Sequence, residues 1–118
     1  IKIEKMVEQS ANLGSFISSL YTEDYELMSR SVVDVIVEPN RSILIPEFDV
    51  IKKISKTNGA IAVGISGSGP SIFSLSNKSS TSQKILDNIT SHFNNLKIDY
   101  DGFISKVNST GIKILESK

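Results

Sequence analysis

The chain has 118 residues and a mass of 12.9 kDa, which is the size of one domain rather than two. Its 13 basic and 13 acidic residues balance, so it lacks the basic excess that binding to nucleic acid or an anionic membrane requires. The absence of cysteine excludes disulfides, thiolate metal sites and thiol nucleophiles. No apolar run approaches the ~18 residues of a membrane span and no signal peptide is visible, so we expect a cytoplasmic protein.

The first residue is Ile1 rather than Met, and it already lies inside a helical pattern. We therefore expect the chain to be an excised piece of a longer protein. Part of that protein's function would then depend on residues outside these 118.

Apolar residues recur at steps of three and four near the start of the chain, which predicts an amphipathic helix over about residues 1–20. The residues of this stripe are Ile3, Met6, Val7, Leu13, Phe16, Ile17 and Leu20. Thr22 is predicted to cap a second helix that runs to about Val33, because acidic residues follow it in the first turn. Residues 38–46 (EPNRSILIP) are predicted to form a loop bounded by two prolines.

Pro46 is predicted to open a third helix, in which Phe48, Ile51 and Ile54 point inward and which Asn58-Gly59 closes. Residues 60–66 (AIAVGIS) suit a buried strand, and residues 71–76 (SIFSLS) suit its neighbour. The link between them is too short for a crossover, so the two strands should form an antiparallel hairpin.

A fourth helix is predicted after the candidate caps of residues 79–82, with one apolar face formed by Ile85, Leu86, Ile89 and Phe93. Two further strands are predicted, from Phe103 to Val107 and from Ile112 to Leu115. The resulting order of elements predicts an α+β fold. It would be a ferredoxin-like sandwich with a four-stranded, mainly antiparallel sheet and helices on one face. Nothing divides the chain, so residues 1–118 are predicted to be one domain.

A glycine-rich stretch, Gly64-Ile65-Ser66-Gly67-Ser68-Gly69-Pro70, connects the two strands of the predicted hairpin. Its glycines permit positive φ angles and close approach of another backbone or a ligand, and its amides could form an anion-binding nest. A tight turn selected for its geometry alone is the alternative interpretation. The spacing is neither a dinucleotide fingerprint nor a P-loop, so the chain contains no complete nucleotide site of its own.

Arg41 lies in the proline-bounded loop, within the sequence Glu38-Pro39-Asn40-Arg41. A guanidinium held on a stiff loop is suited to bidentate capture of a carboxylate or phosphate. The alternatives are a solvated surface residue or a structural pair with Glu38. The remaining candidates are His92, the pair Asp99 and Asp101, and the serines of the glycine-rich stretch. None has the partners of a metal site or a nucleophile, so no catalytic or metal-binding residue is predicted.

Three segments taken together, DVIVEPNRSILIP, NGAIAVGISGSGPSIFSL and STGIKIL, resemble one family. They are similar to the C-terminal domain of the homoserine kinases, a branch of the GHMP superfamily of small-molecule kinases. GISGSGP resembles the third signature of the superfamily, whereas the EPxRxxLIP pattern with DVI upstream resembles the homoserine branch. The resemblance covers essentially the whole chain, in the same order.

The resemblance implies a two-lobed enzyme that transfers the γ-phosphate of ATP, with Mg²⁺, to the hydroxyl of L-homoserine on the way to threonine. It implies that Arg41 holds the substrate carboxylate. It also implies that Gly64, Ser66, Gly67, Ser68 and Gly69 pack against the phosphate loop of the other lobe. That loop, PxxxGLGSSAA in the family, is absent here, so we expect this chain alone to bind no cofactor and to be inactive.

Two other interpretations are kept. One is another GHMP kinase of the mevalonate, phosphomevalonate or diphosphocytidyl-methylerythritol type. The EPNR loop disfavours this interpretation. The other is a ferredoxin-like regulatory module that binds a small molecule without catalysis. For a separated lobe we also expect exposed apolar surface, which would favour weak self-association.

Overall fold

A computed structural model describes residues 1–116, and the last two positions of the predicted domain lie outside the described residues. Its elements, in chain order, are α1 (Ile3–Thr22), α2 (Tyr25–Ser31), α3 (Glu38–Arg41), α4 (Phe48–Thr57), β1 (Ala62–Ile65), β2 (Ile72–Leu75) and α5 (Ser79–Leu96). A single 3-10 turn, Ser42–Leu44, lies between α3 and α4. The α+β class predicted from the sequence is confirmed.

The junction between α1 and α2 differs from the prediction, because Thr22 belongs to the last turn of α1. Its hydroxyl donates to the carbonyl of Ser18, at 2.9 Å, so it does not cap the next helix. Glu23 then ends α1 in a left-handed conformation, with φ of 52°. Asp24 caps α2 instead, its carboxylate accepting from the Leu27 N–H at 3.0 Å. A carboxylate two residues later thus performs the predicted capping role.

The apolar stripe of α1 is present, but most of it is exposed in this structure. Ile3, Val7 and Leu13 each expose 62% or more of their surface, although α1 packs against α2. A helix whose apolar face is solvated gains little stability from that face. No helix described within residues 1–116 combines the length and the apolar character needed to cross a membrane.

The proline-bounded segment is helical rather than a loop. Glu38–Arg41 form one α-helical turn with Pro39 in its first positions, and the 3-10 turn continues from it. Proline at the start of a helix costs no hydrogen bond, and its fixed φ suits the helical conformation. Pro46 does not open α4, because Glu47 adopts a left-handed conformation and the helix begins at Phe48.

The core lies where α4 and α5 pack beside the hairpin. On α4, Phe48 and Ile51 are buried as predicted, and on α5 Ile85 and Phe93 are buried. Val63 of β1 is 2% exposed and packs in one cluster with Ala60 and Ile85. The predicted caps of residues 79–82 lie inside α5, because the helix begins at Ser79 with Lys78 at its N-cap and has no side-chain cap. The Ser82 hydroxyl instead hydrogen-bonds the Ser76 hydroxyl.

The predicted antiparallel hairpin is confirmed, with Ala62 opposite Leu75 and Ile65 opposite Ile72. The predicted four-stranded sheet is not shown, since the sheet of the described residues contains only β1 and β2. Residues 103–107 and 112–115 form no ladder there, and Phe103, Ile112 and Leu115 are at least 88% exposed. A strand requires a paired edge and a packed face, and these two segments have neither in the described part of the chain.

The hairpin turn requires glycine at two positions. Gly67 has φ of 63° and Gly69 has φ of 83°, both in the region that L side chains rarely adopt. A side chain at Gly67 would meet nothing within 4 Å, whereas one at Gly69 would meet Ile45 at 3.3 Å. The requirement at Gly67 is therefore conformational, and at Gly69 it is both conformational and steric.

Replacing Gly67 by Val should destabilise the chain by about 1–2 kcal/mol, because a β-branched residue is strained at positive φ. Gly67→Asn should cost clearly less, since Asn tolerates the left-handed conformation. Urea unfolding followed by circular dichroism measures both variants. Equal losses for Asn and Val would contradict the conformational explanation.

Candidate functional site

The turn that carries Arg41 begins at Asp34, whose carboxylate caps the backbone ahead of α3. Oδ1 accepts from the N–H groups of Ile36 and Val37 at 2.9 and 2.8 Å, and Oδ2 accepts from the Glu38 N–H at 3.1 Å. An aspartate that binds the amides of residues ahead of it is a typical local cap. The backbone entering α3 is thus held by one side chain.

The ionisation of Asp34 is matched to this role. Partial burial of the carboxyl acts to raise its pKa, but the N–H groups of Val37, Ile36 and Glu38 and the amide of Gln9 together lower the pKa below its ordinary value. The carboxylate therefore stays ionised through the neutral range. Its contribution to stability is present above the ordinary pKa of an aspartate and is lost only as the pH falls through the lowered value.

Helix α1 supports the same turn through Gln9. The Gln9 amide donates to Asp34 Oδ1 at 3.2 Å, and its carbonyl accepts from the Val35 N–H at 2.9 Å. One turn further along α1, the Asn12 amide donates to the Val33 carbonyl at 3.2 Å. Two polar side chains of α1 therefore fix the segment that precedes α3.

A second support reaches α3 from α4. Glu38, only 13% exposed at its side chain, forms an ion pair with Lys52. The pairing of Glu38 with Arg41 that the sequence left open is thus replaced by one with Lys52. The same lysine lies over the ring of Phe48, 5.8 Å from the ring centroid.

The side chain of Arg41 connects α3 to the glycine-rich hairpin. Its Nη2 and Nε donate to the carbonyl oxygen of Ser68, at 2.8 and 3.2 Å, across 27 residues of sequence. A carbonyl is a neutral acceptor, so it orients the guanidinium without cancelling its charge. Within the described residues, these contacts leave both Nη1–H groups and one Nη2–H for another acceptor.

An apolar contact lies beside this polar one. Ile45, 8% exposed, packs so closely on Gly69 that a Cβ there would come within 3.3 Å of its Cδ1 atom. The same position would lie 3.6 Å from Ile65 of β1. Residues 38–46 and the hairpin are therefore joined twice, once by Arg41 and once by Ile45.

The structure brings together some of the candidate residues and separates others. Arg41, Ser68 and Gly69 meet at the hairpin, where Ser66 and Gly67 are exposed in the turn. Gly64 is buried on β1, and a Cβ there would come within 2.9 Å of the Phe73 ring. Its role here is therefore to admit that ring, away from the exposed turn.

Two residues of this arrangement, Asp34 and Gln9, carried no site prediction from the sequence. An aspartate four residues before a Glu-Pro helix start is a readable capping signal, so Asp34 could have been identified. Gln9 gives no such signal, because its contacts with Asp34 and Val35 span 25 and 26 residues.

The other candidates lie apart from Arg41's contacts. His92 pairs with Glu47, Nε2 to Oε2 at 3.2 Å, and Asp99 and Asp101 are exposed beyond α5. Within residues 1–116, no three His, Asp or Glu side chains are grouped as a metal site would need. A cleft of about 460 Å³ between α1 and the hairpin is lined mainly by apolar residues, and Gln9, Asp34 and Glu38 are among its polar lining residues.

Comparisons with known proteins place this geometry in context. Residues 16–95 match the family described as GHMP kinases C terminal. The chain is 42% identical over 117 residues to a homoserine kinase of Chlorobium phaeobacteroides, and 34% identical over 119 residues to one of Chlorobaculum tepidum. These matches cover 98% and 99% of this chain, but only 37% of the length of each relative.

A solved structure supports the same relationship. The crystal structure of homoserine kinase from Cytophaga hutchinsonii superimposes with a TM-score of 0.88 and 42% sequence identity, over 94% of this chain and 35% of that one. The family match covers more than half of the residues and includes both Arg41 and the hairpin. The chain therefore belongs to the GHMP kinase C-terminal family.

Proposed function

We propose that this chain is the C-terminal lobe of an ATP-dependent homoserine kinase, which phosphorylates the side-chain hydroxyl of L-homoserine on the way to threonine. The observation that carries the proposal is the contact of Arg41 with the Ser68 carbonyl, which joins the EPNR segment to the glycine-rich hairpin. The relatives at 42% and 34% identity, both named homoserine kinase, support it.

Arg41 is the residue that we assign to the substrate carboxylate. Since Nε and one Nη2–H are engaged by Ser68, the Nη1 and Nη2 edge of the guanidinium remains for a two-pronged contact with a carboxylate. Such a fork fixes both the position and the plane of an amino acid. A fixed amino acid presents its hydroxyl in one direction, which favours transfer by lowering the entropic cost of alignment.

The glycine-rich turn is assigned to the nucleotide side of the cleft, where it would pack against the phosphate loop of an N-terminal lobe. Because residues 66–68 are exposed and lack bulky side chains, another backbone can approach them closely. ATP binding and Mg²⁺ are assigned to the complete enzyme. Mg²⁺ is usually held by one or two carboxylates together with substrate phosphates, and we assign those carboxylates to the N-terminal lobe.

The four-stranded sheet is part of the same proposal for the complete protein. Residues 103–107 and 112–115 would become strands there, supported by apolar side chains that are exposed in this structure, such as Phe103 and Ile114 at 88% and 82%. Burial of such side chains is the usual driving force for sheet completion. We also propose an N-terminal lobe as the main partner, a cytoplasmic location and self-association of the isolated lobe.

Other acceptors are less well supported. A mevalonate-type or diphosphocytidyl-methylerythritol-type kinase would share the family match. A carboxylate-binding arginine suits an amino acid better than a nucleotide-linked polyol, and the relatives at 42% and 34% identity are named homoserine kinase. A regulatory module without catalysis would not account for relatives that are named as kinases.

In the complete enzyme, Arg41→Ala should mainly impair the use of homoserine. Loss of a charge-assisted, two-pronged contact lowers kcat/KM for homoserine by roughly 30- to 1000-fold, with a much smaller change for ATP. Steady-state kinetics with each substrate varied in turn measures both effects.

Arg30→Ala is the matched control, because Arg30 is an exposed arginine on α2. Its partner is Glu26, 3.9 Å away in a surface ion pair that contributes little to stability. Arg30→Ala should leave kcat/KM unchanged for both homoserine and ATP. Equal losses for homoserine and ATP in Arg41→Ala would show that Arg41 is structural.

The 118 residues alone should not turn over substrate, because positioning of ATP dominates phosphoryl transfer and the phosphate loop is absent from this sequence. A coupled assay of ADP release with ATP and homoserine tests this. Steady turnover by the isolated chain would refute the prediction, whereas restored turnover on adding a separately produced N-terminal lobe would support it.

A further inference from the structure

The segment from Asp34 to Arg41 contains a chain of polar contacts that ends at the guanidinium. Asp34 binds three successive backbone amides, and the last of these belongs to Glu38, the first residue of α3. Arg41 is the last residue of that single helical turn. The orientation of α3, and therefore the place from which the Arg41 side chain starts, depends on the Asp34 carboxylate.

A four-residue helix cannot hold itself in place by its own hydrogen bonds, because nucleation costs more than one turn returns. External contacts must therefore fix α3. They come from Gln9 through Asp34, from Lys52 through Glu38 and from Ser68 through Arg41. Of these three contacts, the one from Asp34 binds the backbone of α3, whereas the other two bind its side chains.

We propose that Asp34 is a positioning residue for homoserine: it holds α3 so that Arg41 can engage both Ser68 and the substrate carboxylate. This inference rests on the proposed function, in which Arg41 binds homoserine. Gln9 supports Asp34 in this role, since it binds both Oδ1 of Asp34 and the amide of Val35. Asp34 itself makes no contact with the substrate in this scheme.

The test is Asp34→Asn in the complete enzyme, which keeps the size of the side chain but removes its charge and one acceptor oxygen. We expect the KM for homoserine to rise about tenfold, because charge-assisted bonds to the α3 backbone are weakened. The kcat and the KM for ATP should stay within about twofold of the unchanged enzyme. An unchanged KM for homoserine would overturn the proposal.

Asp24→Asn is the matched control, because Asp24 also caps a helix with its carboxylate, accepting from the Leu27 N–H at 3.0 Å, but on α2. It should leave the KM for homoserine unchanged. A similar rise in both variants would mean that general loss of a cap, rather than the position of Arg41, causes the effect, and would overturn the proposal.

The decisive measurement is a double-mutant cycle with Arg41→Ala. If Asp34 acts through Arg41, then Asp34→Asn should add no further rise in KM once the guanidinium is gone. Full additivity would overturn the positioning role. A normal KM in Arg41→Ala alone would instead contradict the proposed function, so the two failures are distinguishable.

Gln9→Ala provides a second variant should Asp34→Asn fold poorly, because it weakens the support of Asp34 without changing the capping residue. We expect a smaller rise in the KM for homoserine, about threefold, with folding checked by circular dichroism. A well-folded Gln9→Ala enzyme whose KM is unchanged would count against the network.

Discussion

The contact between the Arg41 guanidinium and the Ser68 carbonyl is the interaction on which the arrangement of the site depends. The contact joins residues 27 positions apart and lies at the exposed surface. It therefore orients the two segments more than it adds to the free energy of folding. Each end needs its own support. On one side Asp34 fixes the turn that presents Arg41, and on the other the β1–β2 pairing and the packing of Ile45 on Gly69 fix the hairpin.

Much of the fold could be predicted because it depends on local chemistry. The stripes of α4 and α5 place Phe48, Ile51 and Ile85 at helical intervals, and the burial of those residues confirms the helices. The short link between β1 and β2 permits only an antiparallel pairing, which the register confirms. Both features are determined by residues close together in the sequence.

The differences arise where competing local interactions are nearly equal, or where the partner is distant. Thr22 and Asp24 are both good caps, and the hydroxyl of Thr22 found a carbonyl within α1 instead. The candidate site was predictable as two separate segments, EPNR and the glycine-rich turn. Their contact was not, because the acceptor for Arg41 is a backbone oxygen, and every residue carries one.

A hydrogen bond needs one well-placed partner atom, whereas apolar side chains need a large contacting surface. The polar contacts around Arg41 are therefore formed within this chain, while the apolar face of α1 is left exposed. The network of Gln9, Asp34 and Arg41 uses partners within residues 1–116, and each of these side chains makes two or more directed hydrogen bonds. Apolar side chains are stabilised by the area that they bury, and Ile3 and Val7 on α1 remain mostly exposed in this structure. Preorganising the binding group before substrate arrives reduces the ordering cost of binding. Its contacts with Ser68 orient the Arg41 guanidinium without any ligand, which is what the proposed role in holding a substrate carboxylate would require.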